Sequence, residues 1–249
     1  MRIRIGACML ALALAGAGAA AAAEIKVLSS NGTSAIVRAI GAEFARRTGH
    51  TLVTKIDVAV LLQQDIEAGE SFDVAVLTRA VIDELTAKGA IDAGTRADVA
   101  RSGIGVAARA GAAKPDIGSV DAFRRTFLDA RSVAYTTVGG SGIHFVKMLE
   151  RLGIADAVRA KARTQAGGIV GELVARGEAE LAVQQVSELV PVEGIALVGP
   201  FPPELQLITL FTAGISPHAK NPQAARALLR FFAEPAALAA IRAKGMDPP

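Results

Sequence analysis

The run FDVAVLTRAVIDELTAKG, residues 72–89, decides the fold class. Its first seven residues are nearly all apolar and do not alternate, the pattern of a strand in a parallel sheet covered on both faces. The helix-like run RAVIDELTAKGAI follows at once. Toward the N-terminus, VLLQQDIEAG (60–69) reads as a helix and HTLVTKIDV (50–58) as a strand. Before them, TSAIVRAIGAEFARRTG (33–49) places Ile36, Val37, Ile40 and Phe44 at helical spacing with Gly49 as the stop. EIKVLSS (24–30) is the first strand. The order β-α-β-α-β-α is that of a doubly wound α/β unit.

The pattern then starts again. SGIGVAARAG (102–111) reads as a strand leaving the first unit, and SVDAFRRTFLDA (119–130) as a helix with Ser119 as N-cap. SVAYTT, ELAVQQV and IALVG are further strands, while HFVKMLERLG and GGIVGELVARG are helices. The proline-rich GPFPPEL (199–205) is a crossing segment. LQLITLFTAGI reads as a long strand, and residues 221–245 as two helices broken at Pro235. The expected fold is therefore two α/β lobes, each a doubly wound sheet with helices on both faces, joined by a hinge. Residues 24–103 with 203–249 form lobe I, and 104–202 form lobe II.

Residues 1–23 are read separately. A basic start (MRIR), an apolar core and Ala21-Ala22-Ala23 before Glu24 make a cleavable secretory signal and point to the periplasm. Removing it from the 249 residues leaves 226 without a cysteine, since Cys8 lies inside the signal. Thiolate metal sites, a cysteine nucleophile and disulfides are thereby excluded. Without Arg2 and Arg4 the 27 basic residues fall to 25 against 24 acidic ones, and no basic block exceeds two residues. Nucleic acid and lipid headgroups are not expected partners, nor is direct membrane insertion. With no Trp and one Tyr, the aromatic platforms that sugars favour are scarce.

Three turns between strand-like and helix-like runs carry the candidate site. The first is Ser29, Ser30, Asn31, Gly32, Thr33 and Ser34. The second is Thr136 to His144 (TTVGGSGIH), with Ser141 and Gly142, and the third is Gln165-Ala166-Gly167-Gly168. Each puts backbone N–H groups at a helix N-terminus, where the dipole favours an anion. In doubly wound sheets ligands bind at these strand ends. Taken singly, such residues also serve as helix caps and loop formers. His144 either faces the same cleft or is a surface or capping residue. Arg79 either grips a carboxylate or is solvated, and Gln184-Gln185 either reach a ligand or cross-link loops. No nucleophile elbow, Walker A motif, zinc motif or clustered His/Asp set is present, so no cofactor or metal is expected.

The segments LLQQDIEAGESFDVAVLT, RAVIDELTAKGAID, SGIHFVKMLERLGI and GELVARGEAELAVQQVSEL resemble the molybdate-binding family of periplasmic solute receptors, the type II binding proteins of ABC importers. The resemblance implies oxyanion contacts at Asn31 to Thr33, Ser141 and Gly167 or Gly168. It also implies a serine where this chain has Gly32, a tyrosine where it has Gln185, and another serine within Val58-Ala59-Val60. The implied protein is a monomeric receptor that closes on a small anion, molybdate-type or an organic polycarboxylate, and delivers it to an inner-membrane ABC permease. The alternative is an isomerase of a small unsaturated tricarboxylate such as aconitate on the same scaffold, with His144 as acid or base and Arg79 and Arg38 for carboxylates. The expected ligand-binding residues are Ser30, Asn31, Gly32, Thr33, Arg79, Ser141, Gly142, His144, Gly168 and Gln185.

Overall fold

The computed structural model describes residues 22–249, so the predicted signal segment lies almost wholly outside the described residues. The chain opens with β1 (Glu24–Ser30), α1 (Asn31–Thr48), β2 (Thr51–Asp57), α2 (Ala59–Glu67), β3 (Val74–Thr78), α3 (Arg79–Ala87) and β4 (Ala97–Ser102). It continues with β5 (Ile104–Arg109), α4 (Val120–Asp129), β6 (Val133–Thr136), α5 (Gly140–Arg151), α6 (Ala155–Arg159) and β7 (Ala162–Gln165). Then come α7 (Gly171–Ala175), β8 (Leu181–Gln185), α8 (Val186–Leu189) and β9 (Ile195–Pro200). The last elements are β10 (Thr209–Ile215), α9 (Pro222–Phe231) and α10 (Pro235–Ala243).

Two five-stranded sheets result, ordered β2-β1-β3-β10-β4 and β7-β6-β8-β5-β9. The fold is two-lobed α/β. Apolar clusters lie on both faces of each sheet, which explains the continuous apolar strands. In α1 the predicted stripe Ile36, Val37, Ile40 and Phe44 is buried against β1, β3 and the C-terminal helices. Each such side chain contributes on the order of 1.5–3 kcal/mol of burial.

The sheets differ from the expectation in one respect: both are mixed. β10 runs antiparallel to β3 and β4, and β5 antiparallel to β8 and β9. The predicted strand 102–111 is split at Gly103, and β4 and β7 were not anticipated. The split has a steric cause. A Cβ at Gly103 would stand 3.0 Å from the Gln206 amide nitrogen, because the second crossing passes directly beside the first. Gln206 accepts the Ile104 N–H at 2.8 Å and donates to the Ile104 carbonyl at 3.0 Å. The two chain crossings between the sheets are thus tied by one side chain.

Asp73, buried at the start of β3, holds three segments of the first sheet together. Its carboxylate accepts the N–H groups of Lys26 (2.8 Å), Lys220 (2.6 Å) and Asn221 (3.2 Å). Asp73→Asn turns an NH2 toward one of those donors. Urea unfolding is expected to show a loss of roughly 1–3 kcal/mol, and an unchanged midpoint would contradict this role.

Candidate functional site

Four helices, α1, α2, α3 and α5, begin at the carboxyl ends of strands or just beyond them, and their N-cap residues are Ser30, Val58, Thr78 and Gly139. None of the four has a side-chain cap. Elsewhere α9 and α10 also lack a side-chain cap, while α4 is capped, with Ser119 accepting the Ala122 N–H at 3.2 Å. All four uncapped N-cap residues line one interlobe cleft of about 300 Å³. First-turn N–H groups without a capping acceptor make an anion site, and each helix end carries roughly half a positive charge. Together they offer about two charges to a ligand.

The other walls are neutral. Asn31, Gly32, Ser141, Gln184, Thr209 and Phe211 contribute, and no Lys, Arg or His lines the cleft among the described residues. Thr136 lies under the first turn of α5, and its buried Oγ1 has no hydrogen-bond partner among the described residues. A buried hydroxyl without a partner costs about 1–3 kcal/mol. Nor do the described residues gather three or more His, Cys, Asp or Glu side chains as a metal would need.

The sequence-predicted residues divide into two groups. Ser30, Asn31, Gly32, Ser141 and Gln185 line the cleft; Thr33, Arg79, Gly142, His144 and Gly168 do not. The Thr33 hydroxyl is buried among the Ser30 and Val76 carbonyls and the hydroxyls of Ser29 and Ser30. Arg79 turns to Asp98, with a nitrogen 3.3 Å from the carboxylate. The His144 ring reaches the Leu205 carbonyl (Nε2 to oxygen 2.8 Å), which fixes it to the second crossing.

The remaining glycines serve packing. A Cβ at Gly142 would lie 1.7 Å from the Thr136 carbonyl oxygen, so glycine there lets α5 close onto β6. Gly168 takes a left-handed conformation (φ +84°), and its carbonyl accepts from Gln184 at 2.7 Å. Its neighbour Gly167 abuts the other lobe: a Cβ there would come within 2.8 Å of Val58 Cγ2. The third turn is therefore a lobe-to-lobe contact.

Gln185 is at the cleft but spends its amide elsewhere. Its oxygen accepts from the Thr209 hydroxyl at 2.7 Å, and its nitrogen faces the Ser102 and Gly103 carbonyls at 3.1 and 3.2 Å. It links the cleft floor to both crossings. The residue that sequence reasoning missed is Glu188, on the four-residue helix α8, which too weak a periodicity hides in the run VQQVSEL.

Over residues 25–247 the chain matches the family of bacterial extracellular solute-binding proteins. It belongs to that family. The solute-binding protein is 36% identical over 234 residues to an aconitate isomerase from a Pseudomonas species, across 90% of this chain and 87% of the relative. Its fold is similar to that of the periplasmic molybdate-binding protein of Azotobacter vinelandii (TM-score 0.76, 19% identity, covering 90% of this chain and 99% of that one). It is also similar to Peb3 from Campylobacter jejuni (TM-score 0.64, 11% identity, 90% and 100%).

In this solute-binding protein the space beside Gly32 is already taken. A Cβ there would meet Phe211 Cζ at 2.6 Å, so the serine that the molybdate-family resemblance implies has no room. Gly32→Ser is expected to force Phe211 aside and lower stability by roughly 1–3 kcal/mol. Pairing it with Phe211→Ala should show positive coupling in a double-mutant cycle read by thermal denaturation; strict additivity would count against the contact.

Glu188 is the one titratable side chain on the cleft among the described residues. Burial pushes its carboxyl up to about 8 from an ordinary 4.5, partly offset by the hydrogen bond that it accepts from the Gln185 N–H at 3.2 Å. The folded state thus holds a proton that the unfolded state has released between those two values. Its contribution is full below about pH 4.5 and is lost as pH rises through about 8. Over that window the wild type should lose up to about 1.4 kcal/mol per pH unit relative to Glu188→Gln. Denaturant titrations of both proteins at several pH values measure the difference, and parallel curves would refute it.

Proposed function

We propose that the protein binds a small unsaturated polycarboxylate of the aconitate type in the interlobe cleft and moves its double bond. The observation that carries this reading is the 36% identity, over nearly the whole chain, to an aconitate isomerase. The cleft supports it. A volume of about 300 Å³ is of the size that holds a small organic molecule. Gly32, the run Val58-Ala59-Val60 and Gln185 stand where the molybdate-family resemblance implies two serines and a tyrosine. Charge on the carboxylates would be met by the open N–H groups of α1, α2, α3 and α5, since Arg79 and His144 are engaged elsewhere.

The chemistry is a 1,3-proton shift. A base takes a proton from the methylene carbon beside the double bond, and the C–H electron pair becomes the new C=C. The displaced pair of the old double bond takes a proton at the far carbon. Negative charge developing on the conjugated carboxylate is stabilised by preorganised N–H donors in a site of low dielectric. No redox partner or cofactor is consumed.

A second reading keeps the same cleft for capture alone: a periplasmic receptor that hands a molybdate-type oxyanion or a polycarboxylate to an inner-membrane ABC permease, closing as it binds. The family favours it, as does a lining without Lys, Arg or His among the described residues. In both readings the protein acts in the periplasm, as a monomer.

Thermal shift and proton NMR separate the two. A ligand at about 100 times its dissociation constant adds roughly 2.7 kcal/mol. Stabilisation by cis- and trans-aconitate, with interconversion of the two above the buffer rate, is the expected result. Stabilisation without conversion would leave the receptor. A shift with molybdate or tungstate alone would sink the polycarboxylate reading.

A further inference from the structure

We infer that Glu188 is the residue that takes and returns the allylic proton in the cleft, an inference that rests on the isomerase reading above. The argument begins with elimination by position. Among the described residues lining the cleft, Glu188 alone has a side chain able to exchange a proton near neutral pH. His144, the base expected from sequence, is bound to the Leu205 carbonyl outside the cleft lining. The remaining polar walls are hydroxyls and amides.

Its local geometry suits the task. Glu188 Oε2 accepts the Gln185 N–H, which orients the carboxyl from the first turn of α8, while Oε1 makes no hydrogen bond to another described residue. The side chain makes no salt bridge among the described residues and is 8% exposed. It also borders a second cavity of about 380 Å³, on whose walls stand Arg38 from α1, Glu172 on α7, Arg176 just after it, and Glu193 before β9. These are the charged groups facing α8 there, and Arg176 is already engaged by Glu172 and Glu178. A glutamate in this position approaches the cleft as a neutral acid at neutral pH, so an anionic ligand is not repelled.

The step balances within one residue. The ionised Glu188 takes the methylene proton as the C–H bond breaks and the new C=C forms. The resulting acid gives the proton to the far allylic carbon, and the carboxylate is restored. Because the reacting form is the carboxylate, its fraction rises about tenfold per pH unit until the carboxyl has ionised. kcat/KM for aconitate should therefore climb from pH 6 and level off above about 8.

The test uses the full chain, cis- and trans-aconitate, and the variants Glu188→Gln and Glu188→Asp. Glutamine keeps an oxygen for the Gln185 N–H, so the start of α8 is preserved. Calorimetry is expected to show Glu188→Gln binding aconitate within about threefold of wild type while conversion falls at least roughly 100-fold. Glu188→Asp should convert slowly, with a displaced pH midpoint. If Glu188→Gln retains more than about a tenth of the rate, or the wild-type profile is flat from pH 6 to 8, the assignment is overturned. Should Glu188→Gln fail to fold, Glu188→Asp decides: wild-type rate and midpoint overturn the assignment, and a slower rate with a moved midpoint supports it. An inactive wild type defeats both the isomerase reading and this role, whereas an active wild type beside an active Glu188→Gln defeats the role alone.

Discussion

Backbone N–H groups at the start of a helix need acceptors, and four helices of this protein start around one cleft without a side chain to supply them. Their convergence on one cleft follows from the sheets. The apolar strands β1, β3 and β6 are covered on both faces, so their carboxyl ends are where chain and solvent meet. Glycine at 139 and 142 brings the first turn of α5 hard against Thr136. The outcome is a field of donors with little positive side-chain charge, suited to an anion stripped of water.

The hinge is the second constraint. Two crossings join the sheets, and amides from Gln206 and Gln185 bind them to each other and to the cleft floor. The short helix α8 follows directly, with Val186 N–H donating to the Gly103 carbonyl at 2.9 Å. Glu188 sits two residues further on. The segment that crosses between the sheets at Gly103 is thereby tied to the helix that carries Glu188.

The architecture was legible because hydrophobic patterning reports burial locally. FDVAVLT and the stripe in α1 announce a covered sheet and its helices without any tertiary information. The same holds for the Ser119 cap, whose acceptor and donor lie three residues apart. The antiparallel returns of β10 and β5 were not legible, since strand direction depends on where a distant segment crosses back. At the site, Ser30, Asn31, Gly32 and Ser141 were readable from turn composition. Arg79 and His144 were misplaced because their partners, Asp98 and Leu205, are remote in sequence or supplied by a backbone carbonyl.

By itself the sequence determined two α/β lobes, the glycine-rich and hydroxyl-rich turns, and the lack of any cysteine after Cys8, because these follow from residue type and spacing alone. Tertiary structure decided which turns share a cleft, that the third turn instead meets Val58, and that Phe211 fills the place beside Gly32. It also singled out Glu188. A carboxyl's proton affinity depends on what surrounds it, and burial between two lobes cannot be read from a residue's neighbours in the chain.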